Sequence, residues 1–205
     1  MTAMTSSMPR AFRRFGRDRR GVSAVEFAFI APVMIGLYLG CVEISDGVAA
    51  DRKVSLVSAA LANLTASCSS SSANAGSCAN NIISTTEMNN ILDASSAIIA
   101  PYDAAKLKMT VSCLSVDANK NVTVKWSETR NGTKRTNFTF DSSNSALATA
   151  SSYPILLIYS EVSYAYTPIV GYTITGTLTL SDHMFMAPRT QAPSYPDANP
   201  NHTCS

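Results

Sequence analysis

Residues 22–42 read VSAVEFAFIAPVMIGLYLGCV, an apolar run of twenty-one residues in which Glu26 is the only charge. Coiled as an α-helix with a rise of about 1.5 Å per residue, the run is about 31 Å long, the thickness of a bilayer's hydrocarbon core. A helix apolar on every side needs lipid or a large protein interior around it. The remainder of this 205-residue chain is too small to wrap it completely, so the stretch predicts one membrane span rather than a buried core helix.

The flanks give the span a direction. Residues 1–21 carry Arg10, Arg13, Arg14, Arg17, Arg19 and Arg20 against the single acid Asp18, a net +5, whereas Glu43, Asp46 and Asp51 follow the span before Arg52 and Lys53. The positive-inside rule then places the N-terminus in the cytoplasm and the chain beyond about residue 43 outside. Past residue 21 the net charge is −3, which excludes a nucleic-acid-binding domain, since nothing there neutralises a run of phosphates. Charged residues make up only 15% of the chain, and the Ser, Thr, Ala and Asn that replace them suit an exported head better than a cytosolic enzyme. A cleavable secretory signal is the rival reading of the N-terminus. It calls for a shorter apolar region followed by a small-x-small site, and the nearest such site, Val48-Ala49-Ala50, lies well past the run.

Within the span, Glu26 is costly in lipid unless it reaches the interface or a partner. It can pair with Arg19 or Arg20, or serve as a carboxylate held for a partner inside the membrane. Pro32 removes one helix donor and predicts local loosening. Gly36 and Gly40 form a Gly-x-x-x-Gly, a pattern that permits close helix packing, and Cys41 reads as a small apolar filler.

The string Phe15-Gly16-Arg17-Asp18-Arg19-Arg20-Gly21, followed by Val25-Glu26-Phe27-Ala28 and Ala31-Pro32, carries a resemblance. A basic leader, a Gly, a Glu five residues later and an apolar helix are similar to the class III signal of type IV pilins and pseudopilins. More narrowly, the string resembles the TadE-like proteins of tight-adherence (Flp) pilus assembly systems. The resemblance is specific over residues 15–60 and thin elsewhere. It implies that a prepilin peptidase cuts between Gly21 and Val22 and that Glu26 is the fifth residue of the mature chain, acting in assembly. Phe27 stands where the major pilins of that class have Tyr, which favours a minor component over the main fibre subunit. TadG-like proteins share this N-terminus but add a von Willebrand-type domain with a metal site, for which no sequence is found here.

Beyond the span, residues 43–64 keep a helical pattern, with Ile44, Val48, Leu56, Ala60 and Leu64 read as one apolar strip and Val57 and Leu61 beside it. Residues 22–64 are therefore expected to form a membrane helix continuing into an amphipathic stalk; a break at Gly47 is the alternative. Residues 65–81 hold no large apolar side chain and read as a loop. A second helix is expected over 82–92, starting near Ser84 or Thr85 and closed by Pro101.

After Lys108 the period becomes two. Strands are expected from Met109 to Leu114, over 122–130, 133–140, 155–168 and 172–182, with turns at Asp117-Ala118-Asn119-Lys120 and Asn131-Gly132. The fold class expected is α+β: a long N-terminal transmembrane and stalk helix followed by a small antiparallel-sheet head. The domains are a basic leader (1–21), the helix (22–64) and an extracytoplasmic head (65–205).

Four cysteines fall in the head, Cys68, Cys78, Cys113 and Cys204. An even number outside the cytoplasm supports two disulfides. Three pairings exist; Cys68–Cys78 with Cys113–Cys204 is the one expected, because the first needs only a short closure. The spacing of Cys68 and Cys78 is too wide for a zinc knuckle. His183 and His202 are the only histidines, neither lies in a nucleophile motif, and His183 is expected to cap or follow the last strand. The reading therefore calls for no enzyme, no metal and no cofactor. Its expected partners are a prepilin peptidase, other pilins or pseudopilins, and inner-membrane pilus assembly proteins. The competing function is a tethered adhesion or ligand-binding module, with Tyr153, Tyr159, Tyr164, Tyr166 and Tyr172 contributing to a surface.

Overall fold

The computed structural model describes residues 20–67, 83–139, 155–169 and 176–189. Residues 1–19, the residues expected as a loop with Cys68 and Cys78, the polar stretch after Thr139 with Tyr153, the stretch holding Tyr172, and the C-terminal residues with His202 and Cys204 lie outside the described residues. The chain divides into two compact units, Met1–Ser45 and Asp46–Ser205.

Helix α1 is Arg20–Ala66, with Pro32 inside it and no break at Gly47. In the first unit its side chains are turned outward: Phe27, Phe29, Val33, Leu37 and Tyr38 are all more than 60% exposed. It is one helix long and apolar enough to cross a membrane.

The second unit is built on a four-stranded antiparallel sheet in the order β2-β1-β3-β4. The strands are β1 Leu107–Val116, β2 Val122–Arg130, β3 Ile155–Tyr166 and β4 Leu178–Met186. The α+β architecture expected of the head, an antiparallel sheet after a long N-terminal helix, is what the chain adopts. β1 and β2 form a hairpin whose turn is held by Asp117: its Oδ1 accepts the N–H groups of Asn119 (2.9 Å) and Asn121 (2.8 Å), and Oδ2 accepts Asn121 Nδ2 at 3.0 Å. This side-chain cradle lets Lys120 occupy the left-handed region at φ 66°, where a residue with a Cβ is otherwise uncommon.

One face of the sheet packs on the helices. The alternation of β1 and β3 delivers Met109, Val111 and Cys113 together with Ile158, Val162 and Tyr164 to that face, and Trp126 joins them from β2. Opposite them lie Ala50, Val54, Val57 and Leu61 of α1, spaced four, three and four residues apart so that they share one side of the helix. Ser58, on the same side, meets Ser160 of β3. Ser160 Oγ donates to the Ser58 carbonyl at 2.8 Å and lies 3.1 Å from the Ser58 hydroxyl; both side chains are buried, so the pair satisfies groups that would otherwise be stranded from water.

The buried side of α1 departs from the strip read in the sequence. Leu56 and Val48 are 58% and 46% exposed, while Ala50, Val54 and Leu61 are fully buried.

Helix α2, Thr85–Ala97, begins with a reciprocal cap: Glu87 N–H donates to Ser84 Oγ at 3.2 Å, and Ser84 N–H donates to Glu87 Oε2 at 2.8 Å. It adds Met88 and Leu92 to the core. Past its end Lys53 Nζ of α1 donates to the carbonyls of Ile98 (3.3 Å) and Ala100 (2.5 Å), which the helix leaves unpaired. A 3-10 turn, Ala104–Lys106, then leads into β1.

Two expectations for the sheet are corrected. Residues 133–139 are not a strand; they cross the face of the sheet that looks away from the helices. Thr133 O accepts Thr110 Oγ1 of β1 (3.3 Å), Arg135 N–H donates to Ser127 Oγ of β2 (2.9 Å), and Phe138 meets Tyr159 of β3 with ring centroids 4.9 Å apart. The segment carries one large apolar side chain, Phe138, and that face offers it aromatic partners which an edge strand would lack. Secondly, β4 starts at Leu178 and runs through His183, which pairs with Glu161 rather than capping the strand.

Candidate functional site

The residues singled out at the membrane end all lie on α1 within the first unit. Gly21 and Val22 sit in its first turn, where four N–H groups have no partner inside the helix and the backbone is at its most accessible. Glu26 stands one turn further on and is exposed, and Phe27 beside it is 71% exposed. A Cβ built on Gly21, Gly36 or Gly40 meets nothing within 4 Å, so the Gly36/Gly40 face is bare in the single chain. Cys41 is a free, exposed thiol, and its carbonyl accepts Ser45 Oγ at 2.8 Å. The arrangement leaves the apolar side chains, the two-glycine notch and one carboxylate exposed, without a partner among the described residues of their own unit.

The head brings together a second set of groups. On the outer face of the sheet, the guanidinium of Arg135 pairs with Glu161 Oε2 at 2.6 Å and lies 5.3 Å and 5.4 Å from the ring centroids of Phe138 and Tyr159. Tyr159 also packs on Phe185 at 4.7 Å, with His183 at the margin. Burial and the Glu161 carboxylate raise the Tyr159 phenol above its usual range, against the opposing pull of Arg135, so the hydroxyl stays neutral. The alternation of β3 put Tyr159, Glu161 and Ser163 on one face in the sequence; what it lacked was the segment 133–138 that supplies Arg135 and Phe138.

Among the described residues, Tyr159, Tyr164 and Tyr166 do not share one surface. Tyr164 and Tyr166 are 4% and 7% exposed and belong to the helix-side core, where Tyr102 packs on both, and Tyr159 points to the opposite face.

Cys113 is wholly buried in β1 and is disulfide-bonded. Cys68, Cys78 and Cys204 lie outside the described residues, so no disulfide joins two cysteines among those described, and neither expected pairing falls within them. Among the described residues no group of three His, Cys, Asp or Glu side chains is placed to hold a metal ion.

No curated protein and no solved structure matches the chain. Residues 21–62, from the junction glycine through Glu26 and the Gly-x-x-x-Gly to the buried side of α1, match the model of the family described as TadE-like protein.

Proposed function

We propose that the chain is a minor pseudopilin-like component of tight-adherence (Flp) pilus assembly, working without catalysis through contacts of its helix and head. The observation that carries this reading is the family match over residues 21–62, which covers the span together with Gly21 and Glu26. In this reading the N-terminus is cytoplasmic, α1 crosses the bacterial inner membrane once, and the head stands in the periplasm. A prepilin peptidase removes the arginine-rich leader after Gly21. The new α-amine on Val22 then lies one turn from Glu26, and the carboxylate, costly alone in lipid, becomes a contact preference for an amine of its own or a neighbouring helix. The bare glycine face at Gly36 and Gly40 supports close packing by another pilin or pseudopilin helix, and inner-membrane assembly proteins are the remaining partners. The domain division that follows is a leader over 1–21, a membrane and stalk helix over 22–64 and a head over 65–205, its cysteines paired as Cys68–Cys78 and Cys113–Cys204.

N-terminal sequencing of the mature protein from its native membrane tests the reading. Val22 as the first residue is expected; an intact leader in pilus-forming cells refutes processing, and an N-terminus near residue 50 indicates an ordinary secretory signal. The two motif residues should fail differently: Gly21→Ala should retain the leader, whereas Glu26→Ala should be cut and inserted yet assemble poorly. A reporter fused after residue 64 that is active only outside the cytoplasm checks the orientation.

A further inference from the structure

The outer face of the sheet holds a cavity of about 500 Å³ that the assembly reading does not use. It lies where residues 131–137 cross β1 and β3, and its size falls in the range of ligand sites, roughly 300–1,000 Å³. Its lining is polar throughout. Lys108, Lys134 and Arg135 supply positive charge, Glu161 is the one acid, and every other lining residue is a threonine, serine, asparagine or glycine.

The charges are not equivalent. Arg135 is paired with Glu161 at 2.6 Å and Lys134 with Glu128 at 2.9 Å, whereas Lys108 has no ion-pair partner among the described residues. One uncompensated ammonium therefore faces a wall of hydroxyls and side-chain amides, groups that donate and accept hydrogen bonds alike. The wall is preorganised: Arg135 is held by Glu161 and by the rings of Phe138 and Tyr159, and its backbone N–H by Ser127 Oγ at 2.9 Å.

This chemistry selects a ligand with one carboxylate per ring of hydroxyls. A bare phosphate fits poorly, because the guanidinium that would clamp it is already taken by a carboxylate. An extended peptide finds no edge to join, since β1 and β3 are both hydrogen-bonded on either side, and it finds no apolar subsite. We propose that this cavity binds a uronate unit of an acidic polysaccharide, with Lys108 taking the carboxylate and the Thr, Ser and Asn side chains taking the ring hydroxyls. The site stands whether or not the chain enters a pilus.

Calorimetric titration of the full chain in detergent with tri-galacturonate and tri-mannuronate tests it, with the neutral methyl esters of both and inorganic phosphate as controls. At least one acid trimer should bind at low salt. Its ester should bind up to about fivefold more weakly, the upper end for one exposed ion pair, and phosphate should not compete. Lys108→Gln should lose the same factor for the acid and none for the ester, with an unchanged thermal melt, while Lys120→Asn, an equal change of net charge on the hairpin turn, should have no effect. Absence of binding by both acid trimers, equal affinity for acid and ester, competition by phosphate, or equal losses in the two lysine variants would each overturn the proposal.

Discussion

Replacing Leu61 by Ala tests which side of α1 is buried, because Leu56, five residues earlier, points about 140° away from it around the helix. Leu61 is 0% exposed and belongs to the cluster formed with the sheet, while Leu56 is 58% exposed. Truncating a fully buried leucine removes its transfer energy and leaves a cavity, together about 2–5 kcal/mol. For Leu56 less than half of a full burial of about 1.5–3 kcal/mol is at stake, so about 1 kcal/mol or less is expected. The second unit extends over Asp46–Ser205, and for a unit of that size each kcal/mol moves the midpoint by roughly 2–4 °C. Leu61→Ala should therefore melt about 6–12 °C below the parent and Leu56→Ala within about 4 °C of it, taking 3 kcal/mol for the first. Trp126 is the one tryptophan and is 2% exposed in the core, so its emission reports head unfolding of the intact chain in detergent without interference from the membrane segment. A Leu56→Ala variant that loses as much as Leu61→Ala would refute the assigned rotation of the helix.

At the β1–β2 turn, the hydrogen bonds that Asp117 accepts from the Asn121 side chain, Asn121 N–H and Asn119 N–H hold its carboxyl below the ordinary 3.8. Since the folded value is the lower one, the turn's contribution is complete above 3.8 and is lost as pH falls through the folded value; a carboxyl titration by NMR giving 3.8 or higher contradicts this. Gly132→Ala should destabilise the head by about 1–3 kcal/mol, because a Cβ there lies 2.7 Å from Thr129 Oγ1 and 3.1 Å from Thr110 Oγ1, which are hydrogen-bonded to each other; a melt superimposable on the parent would count against that packing. Intact mass with and without reduction should show two disulfides per chain in protein from the native compartment, and loss of the bond at Cys113 should cost about 2–5 kcal/mol; four alkylatable head thiols would remove the expectation.

What was legible in the sequence is what neighbouring residues determine among themselves. Twenty-one consecutive residues with a single charge are long and apolar enough to cross a membrane whatever the rest of the chain does, and the Gly21 and Glu26 on which the resemblance to a class III signal rests are likewise local. Ser84 with Glu87, and Asp117 with Asn121, are short-range hydrogen-bond devices whose partners lie within four residues, so they can be read locally. The alternation of 107–116 and 155–166 shows strands for the same reason. The side of α1 that is buried was settled by tertiary packing: Ala50, Val54, Val57, Ser58 and Leu61 line it, while the equally apolar Leu56 and Leu64 stay exposed, so the pattern of apolar residues does not by itself choose between the two sides. The path of 133–139 is likewise a tertiary outcome, since Arg135 and Phe138 find Glu161 and Tyr159 across more than twenty residues of chain. The cavity at Lys108 exists only because that segment crosses the sheet. Local sequence sets which residues coil, turn or extend, and the choice of face belongs to the partners that long-range folding brings within contact distance.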